Sequence, residues 1–175
     1  YLFWENGYET TSVRMLEKKM GINQFSMYAG FISKENLFVE ALKKYREHVE
    51  VHVFSDLLKP GANLKDLERF FMRFMHQIKD KQKMKGCLVV NTTREMGLAN
   101  DPIAKELLRY YAFVRDMLTR VLKNALEAGE LEKDADIQQL SNYLLGVMQG
   151  VSVASKVSNE PEVRDFISVS LSAIH

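Results

Sequence analysis

In the stretch GINQFSMYAGFISKENLF, residues 21–38, four side chains carry donors and acceptors that a helical core has little use for: Asn23, Gln24, Ser26 and Tyr28. A carboxamide offers an N–H donor beside a carbonyl acceptor, the pair that matches the edge of adenine in the major groove of DNA. A serine hydroxyl is less selective. Phe25, between them, can touch a thymine methyl or simply pack. Thr11, Tyr28 and Lys34 suit phosphates on either side, and predicted helix starts at Thr11 and Ser33 aim backbone N–H groups at anions. Ser12 and Arg14 complete the candidate DNA-contacting set. An ordinary helical hairpin shares this spacing, so the pattern alone leaves both readings open.

Other reactive side chains are few. Cys87, in GCLVVN near Lys85, stands at a predicted helix start, where a thiolate is favoured; it equally fits as a small buried hydrophobe. His48 and His52 are four apart, which puts two imidazoles on one helical face. With only Glu47 as a further candidate ligand, solvated surface is the better reading, and no metal is expected. The sequence holds no nucleophile–base pairing, no GxxxxGK phosphate loop and no Cys/His cluster. Neither an enzyme nor a resident cofactor is expected.

The elements that must carry these residues are helical. Residues 1–6 read as the end of a helix whose beginning is missing, with Gly7 as its stop. Thr11 or Ser12 caps a second helix with Val13, Leu16 and Met20 at spacings of three and four, and Gly21 ends it. A short helix follows from about Gln24 to Gly30. Ser33 caps a long one through Leu37, Phe38, Ala41, Leu42, Tyr45 and Val49. KPGAN at 59–63 is the clearest break. Beyond it come an apolar helix face from Leu64, a short helix between Gly86 and Gly97, and a helix begun by Asn100 or Asp101 that stops at Gly129. A further helix runs from Ala135 to about Val157, and Pro161 opens the last. The expected class is all-α, with roughly nine helices, a helix-turn-helix domain over 1–46 and a larger domain over 47–175.

The totals agree with that class. In 175 residues, 46% are hydrophobic, and only nine Gly and three Pro occur, which disfavours a turn-rich β architecture. Net charge is +1 and residues 1–50 balance seven Lys or Arg against seven Asp or Glu. A DNA contact there must therefore be a local patch. A single cysteine suits a reducing cytoplasm, and no apolar run reaches the roughly 18 residues of a membrane span.

LFWENGYETTSVRMLEKKMGINQFSMYAGFISKENLF, residues 2–38, resembles the N-terminal domain of the TetR family of bacterial transcriptional regulators. The resemblance rests on Leu2, Phe3, Gly7, Tyr8, Thr11, Ser12, Gly21, Tyr28, Phe31, Lys34, Glu35, Leu37 and Phe38. It implies that the short helix reads an operator on double-stranded DNA. The chain departs from the family pattern at Leu16-Glu17, at Asn23-Gln24-Phe25 and at Ala29-Gly30, which implies an operator preference of its own.

The C-terminal half is also similar to that family, in ALEAGELEKDADIQQLSNYLLGVMQGV. Its helices carry stripes of Tyr143, Leu144, Val147 and Val151, then Phe166, Ile167, Ser170, Leu171 and Ile174. Such faces can meet a second copy as a four-helix bundle or fill the monomer's own core. The resemblance favours the homodimer. It also implies a small-molecule effector held by segments 64–84, 87–98, 101–125 and 140–149. Phe71, Phe74, Met75, Tyr110, Tyr111, Val114 and Met117 are candidate apolar walls there; Asn91, Glu95 and Gln149 are candidate polar contacts and Cys87 a candidate sensor. A buried Glu95 would favour a cationic ligand. The expected function is a ligand-responsive regulator, in the main a repressor. The alternatives are a switch acting through Cys87 and a helical ligand-binding protein that has lost DNA binding.

Overall fold

The computed structural model describes residues 1–78 and 85–174; within it the side chains of 75–78, that of Met75 included, lie outside the described ones. Among the described residues nine helices and no strand occur. They are α1 (Leu2–Asn6), α2 (Val13–Met20), α3 (Gln24–Phe31), α4 (Lys34–His52), α5 (Leu64–Ile78), α6 (Leu88–Met96), α7 (Asp101–Glu127), α8 (Ile137–Val157) and α9 (Glu160–Ser172). None of them is long and apolar enough to cross a membrane.

Short polar side chains start several of these helices, though not α1 or α6, by accepting from backbone N–H groups that have no partner within the helix. Ser12, rather than Thr11, caps α2 through Met15 N–H at 3.2 Å. Ser33 accepts from Asn36 N–H at 3.0 Å, and Asn100, rather than Asp101, accepts from Ile103 N–H at 3.2 Å. Asn159 and Glu162 form a reciprocal capping box, with Pro161 in the first turn of α9. Gly21 ends α2 in the left-handed region at φ 69°. α3 behaves differently. It runs past Gly30 to Phe31 and stops at Ile32, whose φ of 66° and ψ of −44°, with Ser33 N–H donating to Phe31 C=O at 2.7 Å, make a γ-turn of the rare, strained hand.

The chain divides into two compact units. The first joins residues 1–47 to 87–110, so α1, α2 and α3 share their unit with α6 and the first turns of α7. Its centre is aromatic: Phe38 meets Phe3 at 4.7 Å and Tyr8 at 5.0 Å between ring centroids, and Trp4 stands edge-on to Tyr45 at 5.2 Å. Leu16, Met27 and Leu42 are buried in this unit, as are Leu88, Val89, Ile103 and Leu107. Burying such side chains contributes roughly 1.5–3 kcal/mol each, which fixes α2 and α3 despite their brevity.

The second unit contains residues 48–86 and 111–175. Within it α9 packs on α8 and α5. Phe54 faces Phe70, which stands edge-on to Phe71 at 5.3 Å. The break at 59–63 is held by Asn124, which donates to Ala62 C=O at 2.8 Å, and by Glu130, which accepts from Leu64 N–H at 3.0 Å. A Cβ at Gly150 would lie 3.1 Å from the Phe166 ring, so this glycine admits α9 against α8.

Candidate nucleic-acid interface

The reading element is built by two caps. Asn23 Oδ1 accepts from Ser26 N–H at 2.8 Å, and Glu17, from α2, accepts from Gln24 N–H at 2.5 Å. Together with the left-handed Gly21, these bonds set the angle between α2 and α3. Met27 is wholly buried and anchors α3, while Gln24, Phe25, Ser26, Ala29 and Gly30 face outward. Tyr28 is half-buried, and Ser12 and Arg14 are exposed on the neighbouring helix start.

Several expectations change at this point. Thr11 is fully buried, and its hydroxyl donates to Gly7 C=O at 2.6 Å, so its side chain shapes the α1–α2 turn and has no surface to give a phosphate. Asn23 commits one lone pair of its carbonyl to the cap, which fixes its carboxamide at the start of α3. Gln24 keeps its carboxamide at the surface. Phe25 does not pack: it is 85% exposed. Lys34 sits 4.4 Å over the Tyr8 ring and donates to Glu9 C=O at 3.4 Å, so part of its role is structural. Tyr8, pressed by burial and by nearby Glu35 and Glu9, has its phenol pKa raised. The cap from Glu17 escaped sequence reasoning, since only a departure from the family pattern marked that position.

Glu95 is corrected too. It is exposed, not a buried carboxylate awaiting a cation, and its two oxygens accept from Tyr8 N–H at 3.0 Å and Glu9 N–H at 2.8 Å. In the first unit Cys87 is half-buried, with its thiol 3.6 Å from the Tyr110 hydroxyl, and Asn91 is half-buried. Burial, then the charge of Cys87, raises the Tyr45 pKa well above the usual phenol range. In the second unit Phe71, Val114 and Met117 are buried, whereas Phe74, Tyr111 and Gln149 are half-buried. The expected effector residues are thus divided between the units, and a solvent-open depression of about 460 Å³ at Leu126–Lys133 contains none of them. His48 and His52 bring their rings to 4.6 Å, but among the described residues no three His, Cys, Asp or Glu side chains converge as metal ligands do.

Most of the expected dimer stripe lies inside its own unit. Leu144, Val147, Val151, Ile167, Ser170 and Ile174 are buried there and Leu171 is half-buried. Tyr143 and Phe166 remain exposed, joined by Val153, Val157 and Val169. The buried members lie on helices that pack within this unit, α9 against both α8 and α5.

Comparison with known proteins agrees with a helix-turn-helix followed by a helical bundle. Residues 1–41 match the family described as bacterial regulatory proteins, tetR family, and residues 63–169 match the tetracyclin repressor-like C-terminal domain. The chain belongs to the TetR family of transcriptional regulators. Among its relatives, the uncharacterised HTH-type regulator YezE of Bacillus subtilis is 30% identical over 99% of this chain and 90% of its own. The HTH-type transcriptional repressor ComR of Escherichia coli is 26% identical over 89% of this chain and 74% of its own. The fold of this regulator is also that of a TetR protein from Rhodobacter sphaeroides, at TM-score 0.85 and 19% identity over 99% and 93% of the two chains. A cysteine mutant of the TetR-family regulator CifR, solved with a 26-bp double-strand operator, gives TM-score 0.83 and 23% identity over 99% and 91%.

Proposed function

We propose that this regulator is a cytoplasmic, homodimeric repressor that reads its operator with the first turn of α3 and releases it when a small molecule binds the C-terminal helical region. The observation that carries the reading is the division of α3. Met27 locks one face into the core, while Gln24, Phe25 and Ser26 project outward from the end of the helix that enters a major groove. Gln24 would take an adenine edge and Phe25 a thymine methyl, with Arg14, Ser12 and Tyr28 on flanking phosphates. Repression is supported by the naming of ComR as a repressor. The exposed Tyr143, Val153, Val157, Phe166 and Val169 on α8 and α9 supply the face for a second copy, and a dimeric helix-turn-helix protein reads two half-sites one DNA turn apart on a near-palindrome. The effector acts through its unequal affinity for the DNA-competent and DNA-incompetent forms.

The test is selection of duplexes from a random pool with purified protein, followed by titration at several salt concentrations. Enrichment of a near-palindrome, bound with a steep salt dependence, is expected. Equal, feeble binding to every duplex at low salt would instead make this a helical protein without DNA function. A second reading is favoured by the half-buried Cys87 thiol beside Tyr110, where alkylation or oxidation would disturb the packing of α6. Full induction in a Cys87→Ser variant discards it.

A further inference from the structure

Two side chains outside the helix-turn-helix grip it from the segment joining α6 to α7. Glu95, in the last turn of α6, gives one carboxylate oxygen to Tyr8 N–H and the other to Glu9 N–H. Asn100, at the start of α7, donates from Nδ2 to Glu35 Oε2 at 2.5 Å while its Oδ1 caps its own helix. All of these residues belong to the first compact unit. We propose that Glu95 and Asn100 are positioning residues for DNA reading, which hold the α1–α2 turn and the start of α4 in the pose that presents α3 to the groove. The inference rests on the operator-reading function proposed above.

The argument starts from the turn. Tyr8 and Glu9 N–H follow α1 and lie before the start of α2, so no helical carbonyl satisfies them, and an ionised acceptor makes stronger hydrogen bonds than a neutral one. The fit is tight. A Cβ on Gly7 would lie 2.7 Å from Glu95 Oε2 and 2.9 Å from Oε1, and Gly7 already has a φ of 80°. The same turn receives the buried Thr11 hydroxyl on Gly7 C=O, which passes its position to Ser12 and so to α2. It also receives Lys34, over the Tyr8 ring and on Glu9 C=O. Lys34 and Glu35 are the first residues of α4, so the turn held by Glu95 and the helix start held by Asn100 are keyed to each other. α2 packs on α3. A displacement of the 95–100 segment must therefore move the platform on which α3 stands.

The experiment uses the full chain and a duplex enriched against the wild type from a random pool. Glu95→Ala is expected to bind that duplex about tenfold more weakly, and Asn100→Ala a few-fold, at a temperature well below unfolding and with the salt slope unchanged. Hydrogen exchange at the Tyr8 and Glu9 amides should accelerate in Glu95→Ala alone, a change that a role in general stability would not localise. A double-mutant cycle keeps the test sound if one variant is poorly folded: Gly7→Ala should cost more affinity beside Glu95 than in the Glu95→Ala background, because backbone strain is common to both and only the collision differs. A lower thermal midpoint with unaltered duplex affinity, unaltered exchange at residues 8 and 9, or additive effects in the cycle would overturn the inference while leaving the operator-reading function standing. Failure of the wild type to enrich any duplex would overturn both.

Discussion

Asn23 and Phe25 show how burial and hydrogen bonding redistribute roles among neighbouring residues. Because Asn23 caps α3, Asn23→Ala should lower stability by about 1 kcal/mol, and Asn23→Ser should recover most of it, as thermal or urea unfolding will show. Phe25 carries no such structural duty at 85% exposure. If its ring covers a thymine methyl, replacing that thymine by deoxyuridine in the selected operator should weaken binding by about 0.8 kcal/mol, roughly fourfold, the worth of one buried carbon. The Phe25→Ala protein should be indifferent to the same replacement. A loss of equal size in both proteins would show that some other side chain meets the methyl. The polar edge at 23–28 was legible as unusual from residue types alone. Which of its members remain free was not, since that depends on where the helix begins to within one residue.

Among the elements, α3 is the one with identifiable weaknesses. Gly30 lies in its last turn with no atom within 4 Å of an added Cβ. Gly30→Ala should therefore stabilise the fold by about 1 kcal/mol. Ile32 closes the helix with a positive φ that a β-branched residue adopts only under strain, and its side chain is 78% exposed, so little packing offsets the cost. Ile32→Gly should raise the unfolding free energy by about 1 kcal/mol and the midpoint by about 2–4 °C in a scanning calorimeter. Stops at Gly21 and Gly129 could be read from the sequence because glycine announces them. The stop at Ile32 could not: no local preference puts isoleucine there, and packing of α3 and α4 on the shared core enforces it.

For the whole molecule, the decisive question is what covers the outer side of α8 and α9. Val153 and Val157 are exposed, the latter by 82%, alongside Phe166 and Val169. On the proposed dimer, a Val153→Asp, Val157→Asp double variant should sediment as a monomer and the wild type as a dimer. Its operator binding should then show about half the wild-type salt slope, since each half-site neutralises its own set of phosphates. A dimer that persists in the variant would move the interface elsewhere. The net charge of +1 makes this test sensitive, because little nonspecific attraction exists to mask the loss of the second half-site.

By itself the sequence determined the helical class, the cap at Ser33, the choice of Thr11 or Ser12 and of Asn100 or Asp101 as two further caps, and membership of the family, since periodicity, short polar caps and a dense N-terminal pattern are local signals. Tertiary structure decided the rest. It buried Thr11, turned most of the expected dimer stripe inward, and joined Glu95 to the Tyr8–Glu9 turn across a long stretch of intervening chain. Sequence patterns encode which residues prefer burial or hydrogen bonding, but a partner distant along the chain is chosen only when the helices pack.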